Sequence, residues 1–402
     1  MPWACWARYH SPPRAASVHL AAVTTSSDGS ARLCAPAGLM GRGLLLLRAL
    51  REPRAMHGFA LSEWDLVLRQ ARGTGTVARL CAIAQAAGIF GALPARVRER
   101  LETEHAAVAQ HHRLIRWEVT RVRRALALAG VPLILLKGAA YLLADLPAAR
   151  GRNFSDVDVL VPRDRLVVAE DALLQQGWEF TELTAYDQRY YRDWSHELPP
   201  MAHKHRDVIL DVHHNILPPT GRFRPDPRLL LEAARSLPGL PLSVLAPADM
   251  VLHSACHLLQ SGELDHSLRD LTDLDSLIRH FCSGRDFWDG LVARAGALGV
   301  GRPLYYGLRF AERLLGTPVP AEVIRALAPA APPRAVCVVT DLLFTEALVP
   351  GPSVHSWWRR LALALLGIRY HWLRMPPLLL IRHLLHKALA GHSTTARGTG
   401  AR

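Results

Sequence analysis

Asp156 and Asp158 stand two residues apart in the stretch Arg152-Asn153-Phe154-Ser155-Asp156-Val157-Asp158-Val159-Leu160-Val161, which is otherwise apolar from Val157 onward. The two-residue period of a strand puts both carboxylates on one face and turns Val157, Val159 and Val161 toward a core. Ionised carboxylates resist desolvation unless something compensates them, and a divalent cation carried by a nucleotide is the usual compensator. The chemistry such a strand offers is that of a metal edge. Upstream, the apolar run Val131 to Leu136 ends at Lys137-Gly138, and Ala139 to Leu146 has helical composition. Backbone N–H groups at a helix start favour phosphate, and Lys137 adds a mobile positive charge. Downstream, Val208-Ile209-Leu210-Asp211-Val212-His213-His214 again sets a carboxylate in a β-rich run, which makes Asp211 the natural third acid.

Taken in this order, the motifs resemble the polymerase-beta-like nucleotidyltransferase superfamily and, within it, the bacterial group of uncharacterised nucleotidyltransferases. In that superfamily a strand and a glycine turn precede a strand bearing Asp-x-Asp, and a third Asp follows on a neighbouring strand. The resemblance implies that Asp156 and Asp158 bind two Mg²⁺ (or Mn²⁺) ions. It implies that Asp211 shares one of them and helps deprotonate an acceptor hydroxyl. It also places Lys137, Gly138, Ser155 and Arg152 at the nucleotide phosphates. Gly138-Ala139 stands where many superfamily members have Gly-Ser or Gly-Gly, which leaves phosphate contact to backbone groups, Lys137 and Ser155. The similarity runs from Leu61 to Leu315.

The implied activity is Mg-dependent transfer of a nucleoside monophosphate from an NTP to an acceptor hydroxyl of unknown identity, with release of pyrophosphate. Two readings of other classes stand beside it. One is a non-catalytic nucleotide-binding or antitoxin-like regulatory module. The other is a membrane-associated factor in surface-polysaccharide or export pathways.

The elements that must hold these residues are expected to form an α+β fold: a nucleotidyltransferase-type mixed β-sheet core with helices, flanked by N-terminal helices and a C-terminal helical domain. Residues 1–55 mix Pro, Ser, Gly, Arg and Ala and are expected to be poorly ordered, their one continuous apolar run, Leu44 to Leu47, being too short for a leader or a span. Met40 and Met56 precede the first strongly patterned segment, so translation is expected to start downstream of Met1. Residues 56–130 read as helical, with a long helix over Glu99 to Ala129. The nucleotidyltransferase core is expected over 131–218, with a helix at Arg163 to Gln176, a strand from Trp178, and two antiparallel strands turning at Arg206-Asp207. A helical domain over 219–350 has Pro247 opening one helix, and a basic amphipathic region follows over 351–402.

Four further residues are candidates for facing the substrate. His213 points the same way as Asp211, and a site role and a satisfied core role weigh evenly. His253 and His257 share a helical face, where Asp270 or Asp273 could complete a metal set, although a polar layer with Arg269 is the plainer account. The aromatic segment Tyr186 to Trp194 suits either base stacking or core packing.

The chain has 402 residues, half of them hydrophobic, which excludes wholesale disorder. Its net charge of +13 suits a nucleotide or an anionic surface, while no zinc-finger or RNA-binding signature favours nucleic acid. Six scattered cysteines without a Cys-x-x-Cys pair fit a reducing cytoplasm. Between His355 and Ala390, tryptophans and arginines alternate with short apolar runs, which fits a packed helix pair or a peripheral contact at the inner membrane face.

Overall fold

The computed structural model describes residues 37–349 and 357–382, apart from 182, 183, 261, 263, 265 and 283. Seven strands form one mixed sheet: Ile134–Leu135 (β1), Asp156–Leu160 (β2), Trp178–Phe180 (β3), Met201–His203 (β4), Arg206–His213 (β5), Arg235–Ser236 (β6) and Ser243–Val244 (β7), in the spatial order β3-β4-β5-β2-β1-β7-β6. The two longest strands, β2 and β5, lie parallel at the centre, and β1 runs antiparallel to β2. Val157 and Val159 of β2 and Val208, Leu210 and Val212 of β5 are all buried. Their alternation with Asp156, Asp158, Ile209, Asp211 and His213 divides the sheet into a core face and a polar face.

Ahead of the sheet come Ala37–Arg51 (α1), Leu61–Gly73 (α2), Val77–Ala86 (α3) and Ala95–Leu128 (α4), and within it lie Lys137–Leu143 (α5), Leu166–Gln175 (α6) and Ala185–Trp194 (α7). Helix α4 buries Val97, Leu101, Val108, Ile115, Val119, Val122 and Leu126, a spacing of three, four and seven that keeps one stripe on the core. It stops at Gly130, whose φ of 65° only glycine adopts freely, while the Val131 N–H donates back to the Leu126 carbonyl at 2.9 Å. That stop delivers the chain into β1.

The remaining helices are Pro227–Ala233 (α8), Pro247–Gln260 (α9), Ser267–Phe281 (α10), Arg285–Ala297 (α11), Gly301–Phe310 (α12), Ala321–Ala326 (α13), Arg334–Leu348 (α14) and Trp357–Arg374 (α15). Helix α9 is buried along almost its whole length and is contacted by α10, α11 and α12, so it serves as the axis of the C-terminal helices.

Two expectations are corrected. Poor order does not extend over all of residues 1–55: residues 1–36 lie outside those described, but 37–51 form α1. Leu46, Leu47 and Ala49 are buried there, and α1 packs on α2 and on the turn Ala311–Leu315, so the end of the leucine run belongs to the core. The hairpin turns at Lys204-His205 instead of Arg206-Asp207. Arg206 opens β5 because its guanidinium is held by Glu118 of α4 at 2.7 Å and lies over the Trp178 ring.

Candidate active site

Asp158 lies directly opposite Asp211 in the parallel register of β2 and β5, and Asp156 lies opposite Ile209. Residues opposite one another project to the same side of a sheet, so Asp156, Asp158, Asp211 and His213 share the polar face. One carboxylate oxygen from each of the three acids lies within 4.8 Å of the other two. Asp158 is only 2 % exposed, whereas Asp156 and Asp211 are half-buried.

Three like charges so close must be offset, and the chain supplies part of the offset. The Leu136 N–H donates to the Asp158 carbonyl at 3.0 Å, which extends the β1–β2 pairing by one residue and brings Lys137 out beside the acids. Its ammonium donates to Asp158 Oδ1 at 2.6 Å, and His213 Nε2 sits 2.9 Å from the same oxygen. Burial alone would raise the Asp158 pKa, but Lys137 and His213 overrule it and hold the carboxyl well below the ordinary range. Asp211 behaves in the opposite way: burial, then Asp158, Glu197 and Asp156, push its pKa well above the ordinary value, with Lys137 only partly opposing them. The face therefore carries more negative charge than Lys137 can neutralise. Oxygen donors with a surplus of negative charge suit a hard divalent cation, so the three acids fit an ion of the Mg²⁺ or Mn²⁺ type.

The other expected residues divide. Ser155 is exposed immediately ahead of Asp156 and is open to a ligand. Gly138 is buried at the start of α5, where a Cβ would lie 2.5 Å from Arg152 Nη1 and 2.6 Å from Phe154 Cδ2, so the residue after Lys137 must be glycine for packing reasons. Arg152 is not turned toward the acids. Its guanidinium is buried and donates to Asp273 at 2.5 Å, with Asp270 at 4.0 Å. Arg79 of α3 donates to the other Asp273 oxygen at 2.5 Å, and a buried network thus ties α3, the turn before β2 and α10 together. Arg269 bonds Asp270 and also donates to the Asn153 carbonyl at 3.1 Å, which places it beside the chain leading into β2.

His253 is buried, and burial followed by the Lys137 charge lowers its pKa far below the ordinary histidine value. His257 Nδ1 lies 3.3 Å from Asp270. With Asp273 bonded to two arginines, and Asp270 shared between Arg269 and His257, no metal set assembles around these histidines among the described residues. The aromatics of α7 pack edge-on against one another, Tyr186 and Tyr190 each against Trp194.

Sequence reasoning missed Arg79, Glu197 and His196. A lone arginine in the apolar segment Val77–Ala86 was a usable signal for the first. Glu197 and His196 precede Pro199-Pro200 and reach the site only because Glu197 bridges to His213 antiparallel, which no local pattern announces. Glu197 Oε2 lies 3.3 Å from His213 Nδ1.

Among protein-family models, the one described as uncharacterised nucleotidyltransferase matches residues 61–316, a span that contains all of the acids and histidines above. No curated protein and no solved structure matches the chain.

Proposed function

The chain belongs to the uncharacterised nucleotidyltransferase family, and on that premise we propose that it transfers a nucleoside monophosphate from an NTP to an acceptor hydroxyl and releases pyrophosphate. The observation that carries this reading is the convergence of Asp156, Asp158 and Asp211 from two parallel strands, with Lys137 on Asp158. Held by these three acids, divalent cations of the Mg²⁺ or Mn²⁺ type would stabilise the attacking and leaving oxygens of an in-line displacement. Asp211, opposite Asp158 on the neighbouring strand, takes the proton of the acceptor hydroxyl. Asp158, held ionised by Lys137 and His213, stays a carboxylate throughout. Lys137 and Ser155 flank the acids and meet the triphosphate, and Arg269, beside Asn153, is placed to join them.

The test is incubation with labelled NTPs, Mg²⁺ or Mn²⁺ and cell extract as the source of acceptor. Asp156→Ala and Asp211→Asn are expected to reduce labelling at least about a thousandfold, or roughly 4 kcal/mol of transition-state stabilisation, with the fold retained. Undiminished labelling by either variant would remove the mechanism.

A second reading concerns place rather than chemistry: peripheral contact with an anionic membrane face through the C-terminal region. The outward Trp357, Ile368 and Trp372 of α15 support it.

A further inference from the structure

We propose that His196, Glu197 and His213 form a second cation site, distinct in chemistry from the three acids, that takes a transition-metal ion of the zinc type. One ring nitrogen from each histidine and one Glu197 oxygen lie within 4.8 Å of one another. Two imidazoles and a carboxylate suit zinc, whereas an all-oxygen set suits magnesium, so the adjacent clusters select different ions. Glu197 Oε2 and His213 Nδ1 are already 3.3 Å apart, which is about the ligand-to-ligand edge of a tetrahedron with bonds of about 2.0–2.1 Å.

Two buried atoms point to a missing partner. His213 is 2 % exposed, and its Nδ1 has no aligned hydrogen bond in spite of the nearby carboxylate; His196 Nδ1 is likewise buried without one. Buried polar atoms left unsatisfied are rare enough to demand a cause. A cation held by Glu197 and His213 Nδ1 accounts for the first. It also fixes the His213 tautomer: with Nδ1 on the ion, Nε2 carries the hydrogen and donates to Asp158 Oδ1, now 2.9 Å away. That is the ion–histidine–carboxylate arrangement of metal sites, with Asp158 as the outer acid.

The backbone holds the donors in place. Glu197 bridges to His213, the His214 N–H donates to the His196 carbonyl at 2.8 Å, and the Leu198 N–H donates to the Val212 carbonyl at 2.8 Å. The two ring centroids are 5.3 Å apart and the planes are tilted at 46°, so the rings do not stack. Three protein ligands leave the fourth tetrahedral position to water.

The site stands or falls independently of nucleotidyl transfer. The full chain, stripped with a chelator, is titrated with Zn²⁺ alone and with Co²⁺ alone, and uptake is read by elemental analysis and by the visible absorption of bound Co²⁺. One tight equivalent is expected in the wild type and in Asp156→Asn, which belongs only to the three-acid cluster. Because loss of an outer-shell partner already weakens metal sites about 10–100-fold, His196→Ala and Glu197→Ala are expected to bind at least about a hundredfold more weakly. His196→Cys supplies another zinc ligand; it should retain the ion and add a sulfur-to-cobalt charge-transfer band, which keeps the test decisive if the alanine variants fail to fold. No tight uptake by the wild type, undiminished uptake by folded His196→Ala, a Co²⁺ spectrum unchanged in His196→Cys, or loss of the tight equivalent in Asp156→Asn would each overturn the site.

Discussion

Asp158 and Asp211 share a residue type, a register position and a face, yet they are driven in opposite directions, because Lys137 and His213 both bond Asp158 and neither bonds Asp211. Relief of carboxylate repulsion is therefore expected on removing Asp211, whereas removing Asp158 would strand a partly buried lysine. The same dependence on immediate neighbours governs His214, which follows His213 but is buried away from the acids. Burial, then the Arg163 charge, lowers its pKa from 6.5 to about 4. The folded protein thus holds the neutral ring, and between these two values only the unfolded chain takes up the proton. Its contribution to stability is whole above about pH 6.5, declines as pH falls, and levels off below about pH 4. Between pH ~7 and ~5 this one residue should cost about 2 kcal/mol, and His214→Gln should lose that much of the wild type's pH dependence in urea unfolding. An equal pH dependence in the two proteins would show that the ring takes up its proton as readily in the fold as in the unfolded chain. His253, also buried neutral, works in the same direction, so the comparison has to be made between variants rather than against a flat line.

The elements of the site are held by close approaches that a Cβ would block. Gly151, in the turn leading to β2, has a φ of 66°, and a Cβ there would lie 2.4 Å from the Ala78 carbonyl oxygen and 2.6 Å from the Arg79 nitrogen, both backbone atoms of α3. Gly88 has a similar φ of 69° but nothing within 4 Å of its would-be Cβ. Gly88→Ala is thus expected to cost only the left-handed conformation, about 1–2 kcal/mol, and Gly151→Ala that plus about 1–3 kcal/mol of overpacking. Denaturant titration of the pair isolates the contact, and equal losses would mean that α3 yields freely. These contacts mark the limit of what the sequence made legible. The alternation in Asp156–Leu160 and in Val208–His213 was readable because a strand has a period of two, and with it came the shared face of the acids. The strand order was not readable, since β1, β6 and β7 are two residues each and carry no period of their own. Arg152 was misread for a physical reason: beside Ser155 and Asp156 it has the look of a phosphate ligand, but Asp273 lies 121 residues away in sequence and claims it. The Arg79–Asp273 pair spans 194 residues and was equally invisible to local pattern.

At the scale of the whole molecule, the net charge of +13 and the C-terminal helix raise the question of what the outer surface meets. The sequence of this region suited a packed helix pair or a peripheral membrane contact. In α15 several arginines turn inward: Arg359 donates to the Glu346 carbonyl, Arg369 to the Leu259 carbonyl at 2.8 Å, and Arg374 to Ser195 Oγ at 3.5 Å beside the His196 cluster. These bonds fasten α15 to α14, to α9 and to the segment that carries His196 and Glu197. The outward side is then left to Trp357 at 69 % exposure, Ile368 at 64 % and Trp372 at 45 %, with Arg360 and Arg382 also exposed. No helix among the described residues is long and apolar enough to cross a membrane. An exposed apolar row with flanking cations suits the boundary between headgroups and acyl chains, where apolar burial and attraction to anionic lipid add together. The full chain is expected to float with vesicles that contain an anionic lipid and to remain at the bottom of the gradient with neutral ones. Replacing Trp357, Ile368 and Trp372 together by serine should abolish flotation, whereas Arg360→Gln with Arg382→Gln should weaken it by about 2 kcal/mol, roughly thirtyfold in the partition constant, given about 1 kcal/mol per basic residue near such a surface. Because the inward arginines are untouched, α15 should stay docked in both variants, which circular dichroism and retained nucleotidyl transfer would verify. Flotation of the triple-serine protein as complete as that of the wild type would dissociate α15 from the membrane and leave its apolar row to a protein partner.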